Sequence, residues 1–235
     1  MICKECGRDF EYVEGLLYCP GCGSKIEVEQ YDCAWERRDK YGFADALYLT
    51  WKQSIFDPAN FFKRVPPEGG ISSAFLYAMI IGMIGVCFNI FWEFIFRFAG
   101  IRSWIRNEQF EYFEKSWFLL LMLVISPILI TLALFVGAGI YHMLLWILRG
   151  ANRGYEATFK ALSYSYGPNI FIVIPFCGGL IAGLWSIVLM VIGLRELHKT
   201  TTAKALIAVL LPFIICCGLG VVIAIIGFTS IYRYM

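Results

Sequence analysis

Charged residues are scarce in this chain. Only 16% of its 235 residues are Asp, Glu, Lys or Arg, well below the ~25% of ordinary globular proteins. Hydrophobic residues make up 59% of the chain, and the formal net charge is only +2. So small a net charge gives no reason to expect a nucleic-acid partner. The shortage of charge instead predicts a protein that is largely embedded in a membrane.

Two further features are missing from the sequence. Residues 1–39 contain one short apolar run, at 15–18, whereas a signal peptide needs ~7–15 apolar residues after a basic start. We therefore expect the N-terminus to stay in a reducing compartment, where cysteine pairs are better metal ligands than disulfides. The sequence also lacks a nucleophile–base pattern, a phosphate-binding loop and paired carboxylates in its apolar runs. Nothing in it predicts an enzyme.

The charge that is present is concentrated near the N-terminus. Residues 1–70 hold 12 of the 18 acidic residues and 9 of the 20 Lys and Arg residues, and long apolar runs follow. This division predicts a zinc ribbon at 1–28, a linker with interfacial amphipathic helices at 29–70, and a membrane domain at 71–235. The expected fold is an all-α integral membrane protein with about five transmembrane helices.

Four cysteines at the start of the chain form two C-x-x-C-G motifs. They are Cys3, Cys6, Cys19 and Cys22. Two intervening residues let both thiolates of a pair face one ion, and two pairs give the tetrahedral S4 coordination of structural zinc. Gly7 and Gly23 can adopt the positive φ that closes such a turn. We expect a structural Zn²⁺ here, although a rubredoxin-like iron site is the alternative. A closed site leaves no position for a substrate, so the ribbon is expected to dock on another protein or on its own membrane domain.

Two amphipathic helices are expected between the ribbon and the first apolar run. Four apolar residues recur every fourth position and form one helical face. They are Phe43, Leu47, Trp51 and Ile55. Asp57-Pro58 predicts a second helix start, and this helix carries Phe61-Phe62 followed by Lys63-Arg64. Aromatic and basic faces together suit helices that lie in the membrane interface; packing on the membrane domain is the alternative.

Three apolar runs, at 71–96, 117–148 and 203–231, are long enough to cross a ~30 Å hydrocarbon layer. The region 155–198 predicts either one span at 170–193 or two spans, at 155–176 and 178–197, with a turn at 175–179. The positive-inside rule favours five spans and a cytosolic N-terminus. That topology places 15 of the 20 Lys and Arg residues inside, with Lys160 counted among the loop charges, and four spans place 13 there.

A third span at 155–176 would contain several polar side chains. They are Lys160, Ser163, Tyr164, Ser165, Tyr166 and Asn169. These side chains must face the inside of the bundle, because lipid offers them no hydrogen bonds. In the following span, Gly179 and Gly183 are four residues apart. On an α-helix they lie on one face, where the lack of side chains permits another helix to approach closely.

Five polar residues form a candidate intramembrane site. Glu93 and Arg97 are four residues apart and predict an ion pair, with Asn89 one turn earlier. His142 lies in the second span, and Asn169 follows a Gly-Pro pair that interrupts the third. Ionisable groups at membrane depth are costly and often functional, but packing roles would also explain each residue. A transporter or lipid-handling protein is therefore the alternative to a non-enzymatic role in membrane organisation.

Residues 163–212 contain a distinctive series of motifs. These are Tyr166 before Gly167-Pro168, Pro175, Gly178, Trp185, the run Gly193-Leu194-Arg195-Glu196-Leu197-His198, Lys204-Ala205 and Pro212. This stretch resembles the Ypt/Rab-interacting-protein (Yip) membrane family in its prokaryotic branch. The resemblance implies five spans, a cytosolic N-terminus in the cytoplasmic (inner) membrane, and no established catalytic residues. Eukaryotic members are linked to Rab GTPases and membrane traffic, and this chain has the predicted ribbon where they carry a long cytosolic region. The expected partners are the bilayer and other proteins, and the sequence leaves homo-oligomers open.

Overall fold

The computed structural model describes residues 6, 18, 21–24, 32–99, 116–215, 218 and 220. The chain divides into two compact units, Met1–Tyr31 and Asp32–Met235. In the second unit the described residues form α1 (Arg38–Tyr41), α2 (Phe43–Phe56), α3 (Pro58–Arg64), α4 (Ser72–Phe98), α5 (Ser116–Ile147), α6 (Tyr155–Tyr164), a 3₁₀ helix (Gly167–Val173) and α7 (Gly178–His198). A shorter apolar helix, α8, covers Thr202–Ile215.

Three helices in the described ranges are long and apolar enough to cross a membrane. They are Ser72–Phe96, Leu119–Ile147 and Gly178–His198. The prediction of an all-helical membrane protein is therefore confirmed in its general form. The bounds 170–193 predicted for a single span are wrong, because α7 begins only at Gly178 and a 3₁₀ helix and a turn precede it. Among the described helices of region 155–198, Gly178–His198 is long enough to cross, and a second crossing there stays a prediction.

The region 155–198 folds as a hairpin of unequal arms. Helix α6 and the 3₁₀ helix form the first arm, and α7 returns antiparallel to it. The Thr158 hydroxyl therefore lies 2.8 Å from His198 Nε2, near the open end of the hairpin. Between the arms, Phe176 adopts a φ of 65°. A Cβ on Gly178 would collide with the backbone carbonyl of Phe171, so only glycine fits where α7 leaves the turn.

Four of the six polar side chains predicted to face the inside of the bundle are buried: Lys160, Ser163, Tyr164 and Ser165. The other two, Tyr166 and Asn169, are partly buried. Treating Lys160 as a loop charge was wrong, since it lies in α6 with its side chain fully enclosed. Lys160 was counted on the inside in both topologies, so leaving it out does not change the difference between five and four spans in the number of Lys and Arg residues inside.

The predicted interfacial position of the α3 aromatics is wrong, because α3 packs on α7. Phe61 and Phe62 are each only 1% exposed. The Phe62 ring lies 3.0 Å from where a Cβ on Gly193 would be, so the missing side chain on α7 makes room for it. Phe61 packs edge-on against Tyr164 of α6, with ring centroids 5.4 Å apart. The alternative, packing on the membrane domain, is what the structure shows for this helix.

Candidate functional site

A buried ion pair connects α6 to the chain before α1. The ammonium of Lys160 is completely buried and lies 3.3 Å from the carboxylate of Glu36. It also donates to the carbonyls of Pro66, at 2.9 Å, and Glu68, at 3.2 Å. The Tyr164 hydroxyl donates to the same Glu36 oxygen at 2.8 Å. Two hydrogen bonds to carbonyls and one ion pair thus compensate this charge inside the protein.

The residues next to Glu36 are also anchored in the bundle. Trp35 is fully buried; its backbone N–H donates to Thr50 of α2, and its indole N–H donates to the Ser73 carbonyl at the start of α4. Cys33 is 1% exposed, and burial raises the pKa of its thiol. A protonated, enclosed thiol is chemically inert. Segment 33–36 is therefore a structural anchor for the helices α1 and α2 that follow it.

The two histidines of the chain meet at one threonine. His142 Nδ1 of α5 lies 2.9 Å from the Thr158 hydroxyl of α6, and His198 Nε2 of α7 lies 2.8 Å from the same oxygen. The backbone N–H of Arg153 donates to His198 Nδ1. His142 was predicted as a candidate on its own, whereas the structure makes it part of a three-helix cluster that includes His198.

An apolar groove of about 530 Å³ lies between α5, α6, α7 and α8. Its polar lining comes from Tyr141, Ser165, Tyr166, Asn169 and Ser186. Gly179 and Gly183 also line it, and among the described residues nothing lies within 4 Å of a Cβ on either. In the described part of the chain these glycines therefore face the groove. The close approach of another helix, which their spacing permits, is not seen among the described residues.

The five predicted polar residues do not form one site. Helices α4 and α5 pack antiparallel, with Phe75 against Phe135 and Met83 against Ser126. His142 therefore lies beyond the N-terminal end of α4, whereas Glu93 lies near its C-terminal end, ~35 Å away at 1.5 Å per residue. Asn169 lies between these levels, beside Gly85.

The predicted pair at the far end of α4 is described only in part. Asn89 is exposed and Glu93 is partly buried. The side chain of Arg97 lies outside the described residues, so the predicted ion pair stays a prediction. Nearby, the Trp92 indole donates to the carbonyls of Ile172 and Val173, which supplies partners for the end of the 3₁₀ helix.

Of the four predicted zinc ligands, the structure describes Cys6 and Cys22, and both are exposed. Cys3 and Cys19 lie outside the described residues, and within the described ones no three His, Cys, Asp or Glu residues could hold a metal. Gly23 has a φ of +69°, the conformation expected for the turn after a C-x-x-C pair. The exposed Cys22 thiol next to such a turn fits the donor chemistry of a thiolate zinc site.

The helices that carry these clusters coincide with a known family. Residues 52–225 match the model of the Yip1 domain, which is more than half of the chain. The chain belongs to the Yip1 domain family. Comparison with curated proteins and with solved structures gives no match. The Yip1 domain contains Lys160 and the histidine cluster, but it begins after Glu36, so the buried ion pair joins the domain to the segment that precedes it.

Proposed function

We propose that this Yip1 domain protein is a non-enzymatic, five-span protein of the cytoplasmic membrane, in the prokaryotic branch of its family. It presents a cytosolic zinc ribbon to protein partners and so acts as an adaptor or membrane organiser. One observation carries the proposal: the ion pair between Lys160 and Glu36 fixes the segment before α1 to α6 of the bundle. The chain enters the helical unit at Asp32, close in sequence to this fixed segment.

Three contacts support the five-span topology. The Gly70 N–H lies 3.5 Å from the Glu156 carboxylate, Asn152 donates to the carbonyl of His198, and Lys204 donates to the carbonyl of Arg149. The chain before α4, the α5–α6 loop and the α7–α8 loop therefore lie at one end of the bundle. Five spans with both these loops and the N-terminus in the cytosol require that arrangement.

Helix α2 supports an interfacial position for the chain before α4. Phe43, Tyr48 and Phe56 are 56%, 54% and 71% exposed, although Ile55 and much of the predicted apolar face turn inward. The Lys52 ammonium lies 5.9 Å from the centre of the Tyr48 ring. Exposed aromatic rings beside a cation suit the headgroup layer of a membrane.

A capture experiment tests the adaptor role. The full chain and a chain lacking residues 1–28 would be purified from membranes, with monodispersity as the criterion that the helical unit is intact. We expect protein partners to be captured by the full chain and lost on deletion. Equal capture by both chains would contradict the proposal.

The metal is tested by elemental analysis of the full chain. We expect about one zinc per chain, because four thiolates complete a tetrahedral structural site. Cys6→Ser and Cys22→Ser should each lose the metal, while Cys177→Ser, a change at an exposed cysteine of the helical unit, should retain it. Stoichiometric iron, or no metal at all, would show the assignment to be wrong.

The groove favours one alternative function, the handling of a lipid or an apolar solute. Its lining is apolar apart from a few neutral polar groups, and Asn169 lies where the first arm is a 3₁₀ helix. Flux or lipid-flipping assays on the full chain in liposomes would test this function. Activity that Asn169→Ala abolishes would favour it over the adaptor role, and Asn60→Ala, at an exposed position on α3, would serve as the matched control.

A further inference from the structure

The contacts around the two histidines fix where their protons lie. The Arg153 N–H donates to His198 Nδ1, so that nitrogen carries a lone pair and a neutral ring bears its proton on Nε2. His198 Nε2 then donates to the Thr158 oxygen, 2.8 Å away. The Thr158 hydroxyl is left to donate to His142 Nδ1, 2.9 Å away. One continuous chain of hydrogen bonds thus joins the loop before α6 to α7, α6 and α5.

This series of hydrogen bonds requires neutral rings. A proton on His198 Nδ1 would face the Arg153 N–H and break that hydrogen bond. A proton on His142 Nδ1 would reverse the hydrogen bond to Thr158, whose oxygen can accept from both rings, but it would bring a positive charge to within 5.9 Å of the His198 ring centre. His198 is fully buried, so a charge on it would also have to be accommodated away from water.

The surrounding charged groups do not compensate a protonated ring. Glu156 on α6 and Glu196 on α7 each lie two residues from a member of the cluster, so they project ~200° away around their helices. Glu156 is within reach of the Gly70 N–H, and Glu196 pairs with Arg195.

The remaining titratable neighbours are cationic or neutral. The cationic ones are Arg149 and Arg153 in the α5–α6 loop, Lys160, which is paired with Glu36, and Lys199 and Lys204 after α7. The neutral ones are Tyr141 on α5 and Tyr155 on α6, and the Tyr155 ring centre is 6.0 Å from that of His142. A second positive charge in this region therefore meets repulsion rather than a partner.

We propose that His142, Thr158 and His198 form a proton-sensitive latch at the loop end of the bundle. Neutral histidines hold α5, α6 and α7 together, and protonation of both rings, whose centres are 5.9 Å apart, drives α5 from the α6–α7 hairpin by charge repulsion. Tyr141, next to His142, lines the groove together with Met190 of α7, so opening the latch widens the groove at this end. The device is independent of the adaptor role and of the membrane side on which the loops lie.

The test is the pH dependence of thermal unfolding of the full chain in detergent. Because the unfolded chain binds protons with ordinary histidine affinity, pKa ~6.5, the latch contributes stability above that pH and loses it as the pH falls. Between roughly pH 8 and pH 4, we expect Tm to drop by about 2–4 °C for each histidine that the unfolded chain protonates before the folded chain does. The double variant His142→Gln/His198→Gln should show a flatter profile.

Substitutions of Thr158 distinguish a proton-sensitive latch from a contact that only stabilises the fold. Thr158→Val removes the hydroxyl and should flatten the pH profile, whereas Thr158→Ser keeps the hydroxyl and should restore the slope. A structural role alone would lower Tm equally at every pH. Identical slopes in the wild type and the double variant would overturn the proposal.

The unmodified chain gives an answer even where a variant fails to fold. The Arg153 amide is hydrogen-bonded to His198 Nδ1, so its hydrogen exchange reports directly on the latch. After correction for the intrinsic effect of pH on exchange, acidification should remove its protection. Protection that persists down to the pH at which the whole chain unfolds would contradict the proposal.

Discussion

At the scale of single residues, the Lys160–Glu36 pair is the contact most sensitive to substitution. Lys160→Met would leave a carboxylate and two backbone carbonyls without their cation in a buried place. Breaking a buried pair by removing one partner costs about 3–5 kcal/mol. We expect a loss of stability of that size, measured by thermal or denaturant unfolding of the detergent-solubilised chain.

The matched control is the ion pair of Arg195 with Glu196, whose arginine side chain is 32% exposed. Arg195→Gln should cost at most about 1 kcal/mol, the usual value for a solvent-accessible pair. A double variant, Lys160→Met/Glu36→Leu, should cost less than the sum of its single changes, since it removes both buried charges. Equal losses for Lys160→Met and Arg195→Gln would contradict the structural account of this pair.

Cys33 gives a second prediction at this scale. Burial raises the pKa of its thiol, and the thiolate is the form that reacts with alkylating reagents. Near neutral pH we expect Cys33 to stay unlabelled in the folded chain while the exposed Cys177 reacts. Labelling of Cys33 should increase with rising pH and on unfolding. Mass spectrometry of the labelled peptides gives the measurement, and equal rates for the two thiols at neutral pH would refute it.

The sequence predicts some of these residue-level features and not others. Lys160 must be enclosed by protein, because lipid cannot satisfy an ammonium group. Its partner could not be identified, since Glu36 is far away in the chain and carries no local pattern that links it to α6. The same limit applies to His198, which meets His142 only because three separate helices converge at their ends.

At the scale of elements, the α6–α7 hairpin depends on Gly178. A Cβ at this position would collide with the carbonyl of Phe171 and lie 2.9 Å from its carbonyl carbon. Gly178→Ala must therefore shift the turn, and overpacking of this kind costs about 1–3 kcal/mol or more. We expect a clear fall in Tm for this variant.

The neighbouring glycine provides the control for that prediction. Among the described residues nothing lies within 4 Å of a Cβ on Gly179, and alanine is favoured over glycine inside helices by up to ~1 kcal/mol. Gly179→Ala should leave Tm unchanged or raise it slightly. If both substitutions lower Tm equally, steric exclusion at Gly178 is not the cause.

Elements could be predicted where one property dominates their sequence. Helices α4 and α5 follow from uninterrupted apolar length, and the turn before α7 follows from its Pro and Gly residues. Helix α3 was assigned to the interface because it carries aromatic and basic side chains together. Its aromatic face is buried instead, because Gly193 on α7 leaves a space that Phe62 fills, and a space on a distant helix leaves no mark on the sequence of α3.

At the scale of the whole molecule, five spans place the α7–α8 loop and the C-terminus on opposite sides of the membrane. Thr201 is exposed in that loop, and the loop lies at the same end as the chain before α4. A single cysteine introduced by Thr201→Cys or Met235→Cys would be labelled with a membrane-impermeant reagent in sealed vesicles of known orientation. We expect the Thr201→Cys chain to react from the cytosolic face and the Met235→Cys chain from the opposite face.

The native chain, treated in the same way, gives the background labelling of its own cysteines, and permeabilised vesicles give the maximum labelling of each variant.

The loop charges give the physical reason for the expected result, because Lys and Arg in short loops are retained on the cytosolic side. Arg149, Arg153 and Lys199 all lie in the two loops at this end of the bundle. Labelling of both variants from the same face would mean that the chain after Thr201 does not cross the membrane. The reversed result, with Thr201→Cys labelled from the outside, would mean that region 155–198 crosses only once or that the N-terminus lies outside, so either outcome would contradict five spans with a cytosolic N-terminus.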